Sequence, residues 1–326
     1  YNGNGALGDG TTATRLTPVA VTGVASAVDV DAFYRTTCAT VSDGRHLCWG
    51  DNGNGQVGDS TYLDRRNAAE VLYLTPGDIT CTATATAPRT ETCNTIDDNC
   101  NGVVDEGSWS ACDACAPPAG ACTSGVGACV GSGSRVCGTL GAISGASTYQ
   151  SSCALMRDGS ARCWGYNGYG ELGNGTTTSS LNPVSVTGLT GAVEMVGGYY
   201  HRCARMPGGT VRCWGYNAHG QLGNASTVNS SVPVAVSSVS NLTQLGSGIY
   251  HTCGVRNDGT VWCWGYNGYG QLGDLTGSNR STPVQTQGLY NAYAVGVGGY
   301  HTCAIRTGGT VWCWGYNGYG QLGNGT

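Results

Sequence analysis

An all-β chain assembled from repeats is the fold class this sequence predicts, and three observations predict it. Glycine supplies 56 of the 326 residues, more than twice its usual share of roughly 7%. The tripeptide Cys-Trp-Gly returns at a fixed interval. Between its copies lie short runs of alternating apolar residues, the period of strands. Glycine costs about 1 kcal/mol relative to alanine inside a helix, and no glycine-free stretch of helical periodicity is long enough to offset that.

Cys-Trp-Gly begins at Cys48, Cys163, Cys213, Cys263 and Cys313, so the last four copies are 50 residues apart and the first interval is 115. One period therefore carries an insertion of about 65 residues. Five full units end at Gly50, Gly165, Gly215, Gly265 and Gly315, and a partial sixth fills residues 316–326. Residues 1–73 and 139–326 are assigned to the repeat and residues 74–138 to the insertion. Periods of this length belong to solenoids and propellers, whose units bury their apolar faces on one another. Because Tyr1 falls inside a unit, the chain reads as a processed or internal portion of a longer protein.

Each unit holds about four short strands, exemplified by residues 183–186, 193–196, 203–206 and 211–214. The final two form a hairpin. Asn257-Asp258-Gly259 fits a three-residue loop with a type I turn and a left-handed glycine, and Gly44, Gly159, Gly209, Gly259 and Gly309 share that place. Counting outward sets Cys253 opposite Cys263, within disulfide reach. The same count predicts Cys38–Cys48, Cys153–Cys163, Cys203–Cys213 and Cys303–Cys313. Zinc binding by such pairs is disfavoured, because no histidine or second cysteine pair in the unit completes a tetrahedron.

These residues carry a resemblance. The run His301-Thr302-Cys303-Ala304-Ile305, followed by Gly-Gly-Thr-Val-Trp-Cys-Trp-Gly-Tyr-Asn-Gly-Tyr-Gly-Gln-Leu-Gly ending at Gly323, resembles the repeat of the regulator of chromosome condensation family. The resemblance implies a β-propeller of four-stranded blades. The hairpin cysteines depart from the general family pattern. Five units and a part are also fewer than the family's propeller usually closes with. Guanine-nucleotide exchange and chromatin docking, which the family name suggests, fit poorly with a net charge of −5 and fifteen arginines without one lysine, since a nucleic-acid binder needs a basic footprint.

Eighteen cysteines exceed what a reduced cytosolic chain carries without clear metal spacings, so the sequence predicts an extracellular or cell-surface protein. No apolar run approaches the roughly 20 residues of a membrane-spanning helix.

The insertion holds eight cysteines, at positions 81, 93, 100, 112, 115, 122, 129 and 137, and reads as a small disulfide-stapled domain. Its oxygen donors alternate as in the first half of a calcium loop: Asp97, Asn99 and Asn101, then Gly102, the Val103 carbonyl and Asp105. Ser108 stands where the bidentate glutamate belongs, which leaves Glu106 to swing in. Residues 93–107 also resemble a cysteine-rich metal-binding motif of bacterial surface proteins, a family linked to copper as well. Donors without thioether or imidazole favour calcium.

Gly-x-Gly-x-x-Gly begins at Gly3, Gly53, Gly168, Gly268 and Gly318. Its recurrence without a βαβ frame makes it a repeat turn and not a dinucleotide site. His201, His251 and His301 share one place before the first hairpin cysteine, which predicts an internal hydrogen bond. No catalytic set distinguishes one unit from the others, so no enzyme is expected. Tyr166/Tyr169, Tyr266/Tyr269 and Tyr316/Tyr319 recur at fixed phase. They read either as packing between blades or as a contact surface for a protein, a surface glycan or another copy of the chain. The expected function is a structural or adhesive scaffold able to assemble into a fibre or array. The alternative is a secreted protein-binding propeller such as an enzyme inhibitor.

Overall fold

The computed structural model describes residues 1–74 and 141–326, which hold nineteen strands in five antiparallel sheets and one short 3-10 turn. The first sheet comprises β1 (Ala27–Phe33), β2 (Thr36–Val41), β3 (His46–Gly50) and β4 (Arg65–Glu70). The second comprises β5 (Ala142–Ser147), β6 (Ser151–Met156), β7 (Ala161–Gly165) and β8 (Ser180–Ser185). The third comprises β9 (Glu194–Gly197), β10 (His201–Arg205), β11 (Val211–Gly215) and β12 (Ser230–Ala235). The fourth comprises β13 (Leu242–Ser247), β14 (His251–Arg256), β15 (Val261–Gly265) and β16 (Arg280–Gln285). The fifth has three strands, β17 (Ala292–Val297), β18 (His301–Arg306) and β19 (Val311–Gly315). These are the blades that the repeat predicts.

The grouping of strands differs from the sequence units. The proline-led strand that opens a unit pairs backward: Val184 of β8 lies opposite Cys163 of β7, and Val234 of β12 opposite Cys213 of β11. Each complete sheet therefore takes its outer strand from the following unit. Counting from one Cys-Trp-Gly to the next finds the period but not its phase.

The hairpins have the anticipated register. Gly259 N–H donates to the Arg256 carbonyl and Arg256 N–H to the Thr260 carbonyl, and Gly259 has φ +78°. Cysteines face each other across all five hairpins, and disulfides join Cys38–Cys48, Cys153–Cys163, Cys203–Cys213, Cys253–Cys263 and Cys303–Cys313.

The apolar core lies between sheets. Cys38 and Cys48 of the first sheet pack with Ala154, Met156 and Trp164 of the second, and Leu155, Cys153 and Cys163 of the second with Ala204 and Trp214 of the third. Burying one such large side chain contributes about 1.5–3 kcal/mol. Each Cys-Trp-Gly tryptophan also donates its indole N–H backward: Trp49 to the Ala6 carbonyl, Trp164 to Gln56, Trp214 to Glu171, Trp264 to Gln221 and Trp314 to Gln271, at 2.8–3.0 Å. The loop that receives it is built by a buried asparagine. Asn267 Oδ1 accepts from Leu272 N–H, while its Nδ2 donates to the Asp274 side chain and to the Thr276 and Ser278 carbonyls. The glycine of Gln-Leu-Gly packs against the next indole: at Gly223, with φ +65°, a Cβ would lie 2.9 Å from Trp264.

Candidate functional site

One end of the sheets carries a continuous aromatic row. The loop after the third strand presents two rings in the second to fifth sheets, and these alternate along the blades as Tyr166, Tyr169, Tyr216, His219, Tyr266, Tyr269, Tyr316 and Tyr319. Within a loop the ring centroids are 6.0–6.1 Å apart. Across junctions the steps are 5.0 Å from Tyr169 to Tyr216, 5.1 Å from His219 to Tyr266 and 4.8 Å from Tyr269 to Tyr316. Edge-to-face and tilted contacts at these distances are favourable ring pairings.

A second row backs the first. Tyr200 contacts Tyr166, Tyr169 and Tyr216; Tyr250 contacts Tyr216, His219 and Tyr266; Tyr300 contacts Tyr266 and Tyr269. It continues through Tyr199, stacked at 4.3 Å on Tyr149, to Tyr34 and the first sheet. There the front row stops, because Asp51 and Asn54 occupy the two ring places. The sequence singled out six tyrosines of the front row; it missed Tyr216, His219 and the whole backing row, whose members lie in a different turn. Most of these rings are half-buried by one another, while Tyr269 and Tyr319 are 47% and 89% exposed. The rings pack on one another between blades, and two of them are also exposed.

No charged side chain stands among the eight front rings, while at the first-sheet end Asp51 takes a ring place and the Arg35 guanidinium lies 4.9 Å over the Tyr34 ring. Burial raises the phenols of Tyr166, Tyr250 and Tyr300, and that of Tyr200 to about 12. Burial also holds His219 below its ordinary value. Along the first strands of all five sheets, a concavity of about 520 Å³ is lined by Asp31, Tyr34, Ser147, Tyr199, Ile249 and Gly299 among others. Its one carboxylate, Asp31, accepts from the Ser147 N–H.

The histidines serve the junctions. His201 Nε2 meets Thr252 Oγ1 at 2.9 Å and His251 Nε2 meets Thr302 Oγ1 at 3.0 Å, each in the next sheet. Inner strands are clipped similarly: Asp29 accepts from Gly145 N–H, Glu194 from Leu245 N–H and Gln244 from Val295 N–H. One junction departs from the pattern. Glu171 stands where the other loops carry Gln56, Gln221, Gln271 and Gln321, and Arg202 where the other second strands carry Thr37, Ser152, Thr252 and Thr302. Arg202 is fully buried and donates Nη2–H to Ser151 Oγ at 3.0 Å, with Nε directed at Cys153 Sγ. Burial raises the Glu171 carboxyl to about 7 and lowers Arg202 to about 10, while the two groups draw each other back toward ionisation. The search for a catalytic set passed over these two residues because they lie 31 residues apart within one unit and only the strand grouping sets them on either side of a junction between sheets.

The proposed calcium ligands Asp97, Asn99, Asn101, Val103, Asp105 and Glu106, and the eight insertion cysteines, lie outside the described residues. Among the described residues a different group has ligand-like spacing: one ligand atom each of Cys38, His46 and Cys48 lies within 4.8 Å of the others. The sequence reading saw no histidine to accompany such a pair, and His46 corrects it. The two sulfurs are joined as a disulfide, and sulfur and imidazole donors do not suit calcium. His46 replaces the Ala161, Val211, Val261 or Val311 of the other hairpins and meets Thr40 Oγ1 at 2.9 Å.

No helix among the described residues is long and apolar enough to cross a membrane. Sequence comparison with curated proteins gives no match. Solved structures share the fold: human WBSCR16, at 17% identity and TM-score 0.63 over 89% of this chain and 62% of that one, and yeast RCC1 (Prp20) bound to Kap60, at 15% identity and TM-score 0.58 over 87% and 54%. Prp20p from Saccharomyces cerevisiae aligns with TM-score 0.54 at 15% identity, over 91% of this chain and 73% of that one. This chain therefore spans less than two thirds of the first two. Two family descriptions of the Regulator of chromosome condensation (RCC1) repeat match, one at residues 158–205, 208–255 and 258–305, the other at 143–171, 193–221, 242–271 and 293–321. Together they cover more than half of the chain, on the Trp-Gly-x-Asn loops and cysteine hairpins described above. The chain belongs to the RCC1 repeat family.

Proposed function

We propose that this RCC1-repeat chain is a non-catalytic binding scaffold that works outside the reducing cell interior and engages its partner through the aromatic row. The observation that carries this reading is the row itself, eight rings in unbroken contact on one end of the blades. Tyrosine supplies large contact area at low entropic cost. A disulfide in every sheet supports extracellular or cell-surface placement. Calcium remains the ion proposed for the oxygen donors of the insertion, as a stabiliser of that segment.

Attachment of the purified protein to cells of its source, compared with the Tyr269→Ala/Tyr319→Ala variant, tests the reading. Loss of attachment with an unchanged melting temperature supports it; equal attachment refutes it. A secreted protein-binding propeller, such as an enzyme inhibitor, is the second reading, favoured by the fold it shares with yeast RCC1, which is found bound to Kap60. Recovery of one stoichiometric enzyme on immobilised protein would select it. Assembly into a fibre or array would show as concentration-dependent growth of scattering mass.

A further inference from the structure

We propose that the aromatic row binds a neutral polysaccharide, laid as an extended chain from blade to blade. This rests on the row being a contact surface and adds the class of its ligand. Three observations carry it.

The first is periodicity. The ring-to-ring steps alternate between about 6 and 5 Å in the same order at successive blades, from Tyr166–Tyr169 and Tyr169–Tyr216 to Tyr269–Tyr316 and Tyr316–Tyr319. A surface that repeats itself gains most from a ligand that repeats itself, because each added unit finds an equivalent seat and the contacts become multivalent. A folded protein partner offers no such translational match.

The second is charge. The eight side chains of the row include no carboxylate, guanidinium or ammonium group, burial raises the Tyr166 phenol, and burial keeps His219 below its ordinary value. Glu171, in the loop of Tyr166 and Tyr169, is buried and accepts the Tyr169 N–H. The row therefore offers nothing to neutralise a uronate or sulfate chain, and no strongly charged partner is selected.

The third is the chemistry of the side chain. Each tyrosine combines an apolar ring with a hydroxyl tip. That pairing matches a pyranose, which presents an apolar C–H face and a rim of hydroxyls. The packing of rings against the backing row of Tyr200, Tyr250 and Tyr300 fixes their orientation in advance, so little side-chain freedom is lost on binding.

Calorimetric titration with glucose and mannose oligomers of increasing length, with alginate and heparin fragments as anionic counterparts, tests the proposal. Affinity should rise with length for at least one neutral series. Tyr269→Ala and Tyr319→Ala should each weaken it by about fivefold, and Tyr293→Ala, at an exposed tyrosine outside the row, should leave it unchanged. Tighter binding of an anionic series, no length dependence, or full affinity in the Tyr269→Ala/Tyr319→Ala variant would overturn it. If every neutral oligomer fails while that double variant still loses attachment to cells, the polysaccharide assignment falls and the contact surface stands. If the variant attaches normally, both fall.

Discussion

Glu171 and Arg202 face the same junction, between the second and third sheets, where each favours the other's ionised form without a direct ion pair, and each replaces a neutral residue that recurs at other junctions. Both side chains are excluded from solvent. Removing one member takes away a charge that offsets the burial of the other, which is destabilising in a low-dielectric seam. Arg202→Thr and Glu171→Gln should each lower the urea midpoint strongly, while Glu171→Gln/Arg202→Thr, which rebuilds the repeat chemistry, should recover most of the loss. Additive single effects in the double-mutant cycle would contradict a coupled pair.

Stability should fall on acidification because of the histidines. Burial lowers His46 to about 4 and His201 and His251 to about 3, from 6.5. Below pH 6.5 the unfolded chain takes up protons that the folded chain refuses, so the stability these groups contribute is complete above 6.5 and drains away toward their folded values. Each adds a slope of up to about 1.4 kcal/mol per pH unit. Urea titrations from pH 7 to 4 should show this, and His251→Gln should flatten the curve.

Glu171 acts with the opposite sign. Its folded value of about 7 lies above its ordinary 4.5, so its contribution is complete below pH 4.5 and is lost as pH rises through 7. The difference between the stability curves of Glu171→Gln and the parent should change over pH 4.5–7 and level off above it. A flat difference would mean that Arg202 keeps the carboxyl ionised throughout.

The hairpin disulfides should be individually dispensable and collectively essential. Each closes a loop with a sequence separation of 10, for which constraint of the unfolded chain contributes about 2–3 kcal/mol. Cys253→Ala/Cys263→Ala should lower the melting temperature and remain folded; full reduction should unfold the repeats. Non-reducing peptide mapping should recover the five pairs. Free thiols at those positions in protein from its native source would remove the argument for an oxidising compartment.

Asn267→Leu should be among the most damaging substitutions of the loops. The side chain is fully buried and bonds Leu272, Asp274, Thr276 and Ser278. Losing it leaves several buried backbone groups unpaired at about 1–3 kcal/mol each. Thermal unfolding measures the loss, and Asn267→Asp should cost less because one oxygen still accepts the Leu272 N–H.

The sequence disclosed what is local or repeated. Hairpin register followed from the glycine at Gly259 and its equivalents, because loop length fixes which residues oppose, and so set Cys253 against Cys263. The period followed from Cys-Trp-Gly. What stayed hidden depends on which neighbours the strands choose: the backward pairing of β8 and β12, the backing tyrosines and the junction of Glu171 with Arg202. Periodicity is blind to phase, and single substitutions within a repeat look like drift until the blades are laid side by side. His46 escaped notice similarly, since its partner Thr40 is brought to it by the hairpin.

The outer strand borrowed from the following unit has an evolutionary corollary. Because each complete sheet straddles two stretches of the gene, recombination that adds or deletes a 50-residue segment restores equivalent seams wherever within the period the crossover falls. Size can then drift without redesign. The exception is the seam of Glu171 and Arg202, which must be gained or lost as a set, and which marks one position in an otherwise interchangeable series.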